Sequence, residues 1–429
     1  MLPVDLPGTV RDALLAPLVD HHCHGVRRDD LGRAGFELLI SGAGNPAPPG
    51  TTHFDTPLGV AVRRWCGPLL DLEPHAPPAV YLARREELGA GEVNRRLLAG
   101  AGVVAFLVDS ASQDGELLSA TEMGRHGGAA ADELVRVEHI ERDVAASAQL
   151  AVDYLDDLGE QLTARAARAV GLKTVAGALC GLDLEPSRPA RGAVIAAANR
   201  RLADPKLPLT DPVLLHYLVW SAVDVARERG LPLQFHCGLG GGLGGGLGSG
   251  LAGGYEGGLE SGPGDGPSGG FSGGGFSGGF SGGFSGGLGG PLGEPHRADP
   301  ARLSAFAGAL QPLGVPMILL HSYPFHRQAA YLAAAFPHVY VDVGLAPPHT
   351  AAAPRVIDEL LELAPFHKQL FSSGACGLAE TAYLGALTYR RALSRALATR
   401  IDSGEWSTAD ASRIAHMIGS GNARRIYRL

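Results

Sequence analysis

Short apolar runs alternate along this chain with longer stretches of amphipathic helical pattern, and this alternation limits the folds that it can adopt. Several runs are continuous in β-branched or apolar residues, as is typical of strands buried on both faces. Helical patterns such as 143–167 and 212–229 separate most of them. The predicted strands are Leu18–His22, Val103–Asp109, Leu134–Glu138, Gly171–Val175, Leu233–His236, Met317–His321, Val339–Val343 and Gln369–Ser373.

Eight strand-then-helix units predict an α/β fold of the (β/α)8 barrel type. An open doubly wound sheet is the alternative, but its first strand leads into a Gly-rich phosphate-binding turn. Here the first strand leads into a histidine cluster, which favours the barrel. Residues 26–100 form a helical excursion after that strand, and in a barrel such an excursion emerges on the catalytic face. We therefore expect one barrel domain over 1–429 with 26–100 covering its catalytic face.

A glycine-rich segment interrupts the pattern after the fifth predicted strand. Of the 53 residues from 238 to 290, 29 are glycine, and the sequence FSGG occurs four times. Such a segment buries too little apolar surface to offset the entropy lost on ordering. The sequence therefore predicts a flexible low-complexity insertion over 238–291, with barrel elements resuming after it.

Composition and charge exclude several classes of protein. Hydrophobic residues make up 45% of the chain and charged residues 19%, which is ample for a large core. The net charge is −8 and no Lys/Arg block is present, which argues against nucleic acid or a membrane surface as a partner. The chain shows neither a secretory signal pattern nor an apolar run of the ~18 residues that span a membrane. With only five cysteines, these features predict a cytoplasmic protein.

A histidine cluster, Asp20-His21-His22-Cys23-His24, ends the first predicted strand. Side chains two residues apart on a strand point the same way, so His22 and His24 can present two imidazoles to one metal ion. Asp20 lies on the same face, either as a partner that orients an imidazole or as a buried acid with a partner of its own.

Two further histidines close predicted strands: His236 ends the fifth and His321 the sixth. One such histidine is more often a packing residue. Four at the ends of three strands favour a metal site, because barrel active sites are assembled from strand ends. Imidazole ligands suit several divalent ions, and the sequence does not choose among them. We expect a divalent metal ion, with zinc first and manganese or iron as alternatives.

These ordered histidines resemble those of the amidohydrolase superfamily, and within it the amidohydrolase-2 branch and its FluG-like proteins. The resemblance covers nearly the whole chain outside the glycine-rich segment. Besides the histidines, the stretches that carry it are 48–66, 170–183, 231–240, 321–333, 339–346 and 370–380.

The resemblance implies a metal-dependent hydrolase of a small-molecule substrate, acting on an amide or related C–N bond. It implies that His22, His24 and His236 bind the metal and that His321 polarises substrate or assists proton transfer. A bound metal lowers the pKa of its water to ~7 and so supplies hydroxide. FluG-like barrels can precede a glutamine-synthetase-like domain, which suggests a glutamine-synthetase-like enzyme as a partner. Self-association into a homo-oligomer is a further expectation.

One departure from the family pattern concerns catalysis directly. The family carries an Asp at the end of strand eight that touches the metal and takes a proton from water, whereas this chain has Gly374. General-base catalysis typically raises a reaction rate 10²–10⁴-fold, so the loss of this Asp is expected to slow or abolish turnover. A catalytically impaired barrel that acts as a binding or regulatory protein is therefore one alternative. A metal-dependent decarboxylase that uses the same histidines is the other.

Four other residues near the motifs are candidates for the site. Lys173 ends the fourth strand, where some related barrels use a carbamylated lysine as a metal ligand; it could equally anchor a substrate carboxylate or form an ordinary ion pair. Asp342 can touch substrate, pair with Lys173 or be a structural acid. His326 is a candidate at the outer edge of the site. Cys376 could replace the lost carboxylate, although such cysteines are more often packing residues.

Overall fold

A computed structural model of the chain shows seven parallel strands in one sheet, ordered as they occur in the sequence. The structure describes residues 2–41, 45–109, 115–238, 295–344 and 352–429. The insertion predicted over 238–291 lies outside these ranges apart from Gly238. The strands are β1 (Leu18–His24), β2 (Val103–Asp109), β3 (Ala130–Arg136), β4 (Gly171–Thr174), β5 (Leu233–His236), β6 (Met317–Leu320) and β7 (Val339–Val341).

The eighth predicted strand, Gln369–Ser373, is an irregular segment rather than a regular strand. Its first residue forms a parallel bridge with Val341 of β7. On its other side, the backbone N–H of His21 in β1 donates to the carbonyl of Phe371 at 3.2 Å. Gly374 follows with a φ of 59°, outside the range of a strand. The segment thus joins β7 to β1 and completes the predicted barrel.

Helices follow the strands around this sheet, and most predicted helices are confirmed. The pattern over 143–167 is divided into two helices, and the helix after Ser407 begins with that hydroxyl accepting from the N–H of Asp410 at 3.0 Å. None of the described residues forms a helix that is both long and apolar enough to cross a membrane. The α-helices that the structure describes are α1 (Gly8–Leu15), α2 (Arg33–Ile40), α3 (Pro57–Ala61), α4 (Pro78–Gly100), α5 (Ala120–Gly127), α6 (Val137–Ser147), α7 (Ala151–Ala166), α8 (Ala176–Leu179), α9 (Arg191–Ala203), α10 (Pro212–Arg229), α11 (Ser304–Leu310), α12 (His326–Ala335), α13 (Ala353–Leu363), α14 (Ala379–Asp402), α15 (Thr408–His416) and α16 (Asn422–Tyr427).

Five of the seven strands end at residues other than the predicted ones. β1 continues to His24, whereas β4 and β6 each end one residue early, at Thr174 and Leu320. The ends of β3 and β7 each shift by two residues. β3 begins at Ala130 and ends at Arg136, so Glu138 lies in the first turn of α6 rather than in the strand. β7 ends at Val341, which places Asp342 just beyond it. Both shifts change which polar side chains stand at the carboxyl ends of the strands.

The excursion between β1 and β2 is anchored to the helix that follows the irregular segment. Arg85 of α4 forms a buried ion pair with Glu380 in the first turn of α14, with Nε and Oε1 2.6 Å apart. The hydroxyl of Tyr81 donates to the same oxygen at 2.9 Å. Because both charges are buried and paired, this contact fixes α4 relative to α14.

Candidate active site

The first strand contains one extra residue at its histidine cluster. Asp20 pairs with Phe106 of β2 and Cys23 pairs with Val108, so three steps along β1 match two steps along β2. A bulge of this kind re-aims the side chains around it. Neighbouring histidines of β1 therefore enter different surroundings.

Two of these histidines converge on a lysine. Lys173 Nζ lies 3.2 Å from His22 Nε2 and 3.4 Å from His24 Nε2. The same nitrogen donates to Asp109 Oδ2 at 2.8 Å. The side chains of all four residues are buried. Lys173 Nζ is therefore the centre of the cluster, with two imidazoles and one carboxylate around it.

Strand register explains why these side chains meet. In the sheet His24 is paired with Asp109 across β1 and β2, and Arg136 is paired with Lys173 across β3 and β4. Arg136 reaches Asp109 Oδ2 with Nε at 3.0 Å and Nη2 at 2.5 Å. Asp109 thus accepts from two cations through one oxygen, whereas its Oδ1 has no hydrogen-bond partner among the described residues.

Four imidazoles from three strand ends lie in a continuous row. The ring centroids of His24 and His22 are 5.2 Å apart, and those of His22 and His321 are 5.0 Å apart. His321 and His236 are also 5.0 Å apart. The structure therefore brings together the four histidines that the sequence singled out.

Asp342 holds the backbone of His321 in place through a hydrogen bond. Its Oδ1 accepts from the backbone N–H of His321 at 2.8 Å, and its Oδ2 accepts from His21 Nε2 at 2.8 Å and Ser372 Oγ at 2.6 Å. His321 has a φ of 55°, which is uncommon for a residue other than glycine. Asp342 thus acts as a buried acid with partners, and Lys173 pairs with Asp109 instead.

Asp20 is also satisfied within the barrel. It accepts from the backbone N–H of Ser373 at 2.9 Å and from the hydroxyl of Ser373 at 2.5 Å. This contact ties β1 to the irregular segment rather than orienting an imidazole. Burial raises the pKa of Asp20 to about 6 in spite of these hydrogen bonds.

The electrostatics of the cluster favour neutral imidazoles and charged partners. Burial, reinforced by the charge of Lys173, holds the pKa values of His22 and His24 well below the usual range. Burial also lowers the pKa of Lys173 to about 8, with Asp109 opposing the shift. Burial alone would raise the pKa of Asp109, but Arg136 and Lys173 outweigh it and hold that pKa well below its usual value.

Two other candidates, His326 and Cys376, have different surroundings. His326 begins α12, and its Nε2 lies 2.6 Å from Glu359 Oε2 of α13, while its ring stacks on Tyr323. These contacts join it to an outer helix. Cys376 is partly buried, and burial raises the pKa of its thiol to about 11. It is therefore a neutral thiol at physiological pH in this arrangement.

The cluster contains side chains of the kinds that bind metal ions. Within 2–41, 45–109, 115–238, 295–344 and 352–429, no three His, Cys, Asp or Glu side chains are arranged to hold a metal ion. However, the two Nε2 atoms and the Asp109 carboxylate already surround one positive group, the Lys173 ammonium. Imidazole and carboxylate are donors that divalent transition metals accept. The donor types thus fit a metal, while the position between them is taken by Lys173.

Sequence reasoning missed Asp109 and Arg136 as parts of this site. Asp109 was the last residue of a predicted strand, and Arg136 lay within another. Charged residues in buried strands need partners, so both carried a usable signal. Tyr427 was missed too: its hydroxyl lies 3.1 Å from His21 Nδ1 and accepts from Gln234 Nε2 at 2.6 Å. Its position in the last helix gave no sequence signal for that contact.

The histidines cluster at the carboxyl ends of parallel strands, which is where the enzymes of the (β/α)8 barrel class have their active sites. The particular family follows from comparison with known proteins. The amidohydrolase family model matches residues 74–429, and the chain belongs to that family. His22 and His24 lie before the matched range, so their place in the site rests on the geometry above.

Individual known proteins resemble this chain in sequence or in fold. The chain is 32% identical to protein fluG of Emericella nidulans over 136 residues, which cover 31% of this chain and 16% of that protein. A Lactobacillus casei protein assigned as a metal-dependent hydrolase has a TM-score of 0.77 at 20% identity, covering 99% of this chain and 98% of its own. Glucuronate isomerase of Caulobacter crescentus has a TM-score of 0.59 at 13% identity, covering 100% and 95%. At these identities, the solved structures support the fold alone.

Proposed function

We propose that the protein is a metal-dependent hydrolase that cleaves an amide or related C–N bond of a small molecule. The row of four imidazoles at the ends of β1, β5 and β6 carries this proposal. His22 and His24 would hold a divalent ion, with zinc the first choice. His236 lies beyond His321 in the row and would have to approach them to complete the set of three ligands. When bound, such an ion supplies a water of lowered pKa and polarises a carbonyl.

The chain's own residues supply the rest of the chemistry. His321 would exchange a proton with substrate. Asp342 supports this role by accepting from the backbone N–H of His321 at 2.8 Å. Burial keeps the His22 and His24 imidazoles neutral, which is the form that binds a metal. A glutamine-synthetase-like partner and a homo-oligomer stay predictions.

Metal analysis and turnover test this proposal together. We expect purified protein reconstituted with zinc, manganese or iron to release amine or ammonia from a panel of small amides. His22→Ala should lower both bound metal and rate by at least about tenfold, because one imidazole ligand is lost. His416→Ala, at an exposed position of α15, is the matched control. Release of CO2 instead of amine would identify a decarboxylase and contradict the proposal.

A second candidate, a binding protein with an impaired site, is favoured by Gly374. This glycine stands where the family carries a carboxylate, and its N–H donates to the carbonyl of His22 at 3.1 Å. It therefore lies beside the metal-binding strand but offers no side chain for proton transfer.

The Gly374→Asp variant tests whether the missing carboxylate is what impairs the site. If the barrel descends from a hydrolase, the restored carboxylate should tighten metal binding and raise hydrolysis, by up to about 10²-fold. The φ of 59° makes any side chain here cost about 1–2 kcal/mol of stability. Gly374→Asn carries the same backbone cost without a carboxylate and is the control. Equal metal affinity and rates in the Asp variant, the Asn variant and the parent would contradict this role.

A further inference from the structure

We infer that Lys173 is an internal cation that occupies the metal position of this barrel and competes with a metal ion for it. The inference rests on the proposed function, because two of the three groups around Lys173, His22 and His24, are proposed metal ligands. It gives the site a built-in occupant and makes metal loading depend on withdrawal of one side chain.

The contacts of the ammonium match its bonding capacity. An ammonium group has three donors and no acceptor. Lys173 Nζ has three acceptors in reach: Asp109 Oδ2 at 2.8 Å, His22 Nε2 at 3.2 Å and His24 Nε2 at 3.4 Å. Both imidazoles therefore turn their Nε2 atoms towards the lysine. An imidazole nitrogen is also a donor that a divalent metal would accept.

The surroundings hold the ammonium in place. Lys173 is fully buried, so water does not compete for its donors. Arg136 binds Asp109 from another side and keeps its carboxylate oriented towards the lysine. Releasing Lys173 would break three hydrogen bonds, one of them a buried ion pair with Asp109.

A metal ion cannot share this position. An ion bound to either Nε2 at the usual ~2.0–2.1 Å would stand within a few ångströms of the lysine nitrogen, where like charges repel strongly in a buried site. Metal binding therefore requires the Lys173 side chain to leave the space between His22 and His24. The lysine consequently weakens the metal affinity of the intact protein.

Titration of the metal-free protein with Zn²⁺ in a calorimeter tests the competition. Lys173→Met removes the charge and keeps an unbranched side chain that is one heavy atom shorter. We expect it to bind Zn²⁺ at least about tenfold more tightly than the unmodified protein, because the competing cation is gone. Lys368→Met is the matched control, since Lys368 is also buried but donates to the carbonyls of Ala333 and Phe336. Adding His22→Ala to Lys173→Met should abolish the gain.

The outcomes distinguish this inference from the proposed function. If the unmodified protein binds Zn²⁺ and Lys173→Met binds it equally or more weakly, lysine is a bystander or a ligand, and only the inference fails. If Lys173→Met alone binds Zn²⁺, the inference holds and the unmodified protein is not metal-loaded. If neither binds, both fail.

A measurement on the unmodified chain guards against a variant that fails to fold. The sequence contains only three lysines, Lys173, Lys206 and Lys368. Protein labelled with [ε-¹³C]lysine therefore gives three side-chain signals in an NMR spectrum. Added Zn²⁺ should shift the Lys173 signal and leave those of the other two in place. A Lys173 signal that is unchanged while Zn²⁺ binds would overturn the inference.

Discussion

We expect Asp109→Ala to lower the free energy of unfolding by about 3–5 kcal/mol, because it leaves two buried cations without a counter-charge. Lys173 and Arg136 both reach Asp109 Oδ2, and the side chains of all three residues are no more than 5% exposed. Denaturation by urea at neutral pH, followed by circular dichroism, measures the loss. The same variant should retain the strands, because the apolar core is unchanged.

An exposed acid provides the control for this prediction. Asp183 pairs with Arg302 on the surface, with oxygen and nitrogen 2.9 Å apart. Surface pairs contribute about 0–1 kcal/mol, so Asp183→Ala should change the free energy of unfolding little. If both variants lost the same small amount, the buried cations would not depend on Asp109, and the account of the cluster would be incorrect.

Asp342→Asn should cost about 2 kcal/mol of stability near neutral pH. The amide can still accept from the N–H of His321, but its NH₂ group cannot accept the bonds that Oδ2 receives from His21 and Ser372. Burial would raise the pKa of Asp342, yet the hydrogen bond and charge of His21 outweigh it and lower that pKa to about 2. A difference of one pKa unit corresponds to about 1.4 kcal/mol.

The pH dependence of this loss has a definite sign. The pKa of Asp342 is lower in the folded chain than in the unfolded chain, so its charge stabilises the fold above about pH 4. That contribution disappears as the pH falls towards about 2. The difference in unfolding free energy between the parent and Asp342→Asn should therefore be largest near neutral pH and shrink in acid. A difference that stays constant over this range would show that the carboxylate charge is not its source.

The local parts of this structure were predictable from the sequence. Continuous apolar runs identified the strands, because a parallel strand covered on both faces needs apolar side chains throughout. The clustered histidines were predictable because each ends such a run. His22, His24, His236 and His321 do meet, as expected from strands that end on one face of a barrel.

The pairing of charges was not predictable, because it depends on strand register. The sequence offered Asp342 as a partner for Lys173, but the register of β1 with β2 and of β3 with β4 places Asp109 and Arg136 there instead. Alternating apolar and polar residues help to fix register, but strands buried on both faces are continuous apolar runs that lack this pattern. The bulge in β1, which separates the surroundings of His21 from those of His22, is itself a shift in this register.

Closure of the barrel also sets when the site forms during folding. Asp20 binds Ser373, 353 positions away, and His21 contacts Tyr427, 406 positions away. Joining such distant segments costs loop entropy before the contacts repay it, so this closure belongs to the slow, late steps of folding. A ribosome makes about 5–20 residues per second, so β1 waits many seconds for its partners. The histidines of β1 thus stay without their final surroundings until Ser373 and Tyr427 have been synthesised.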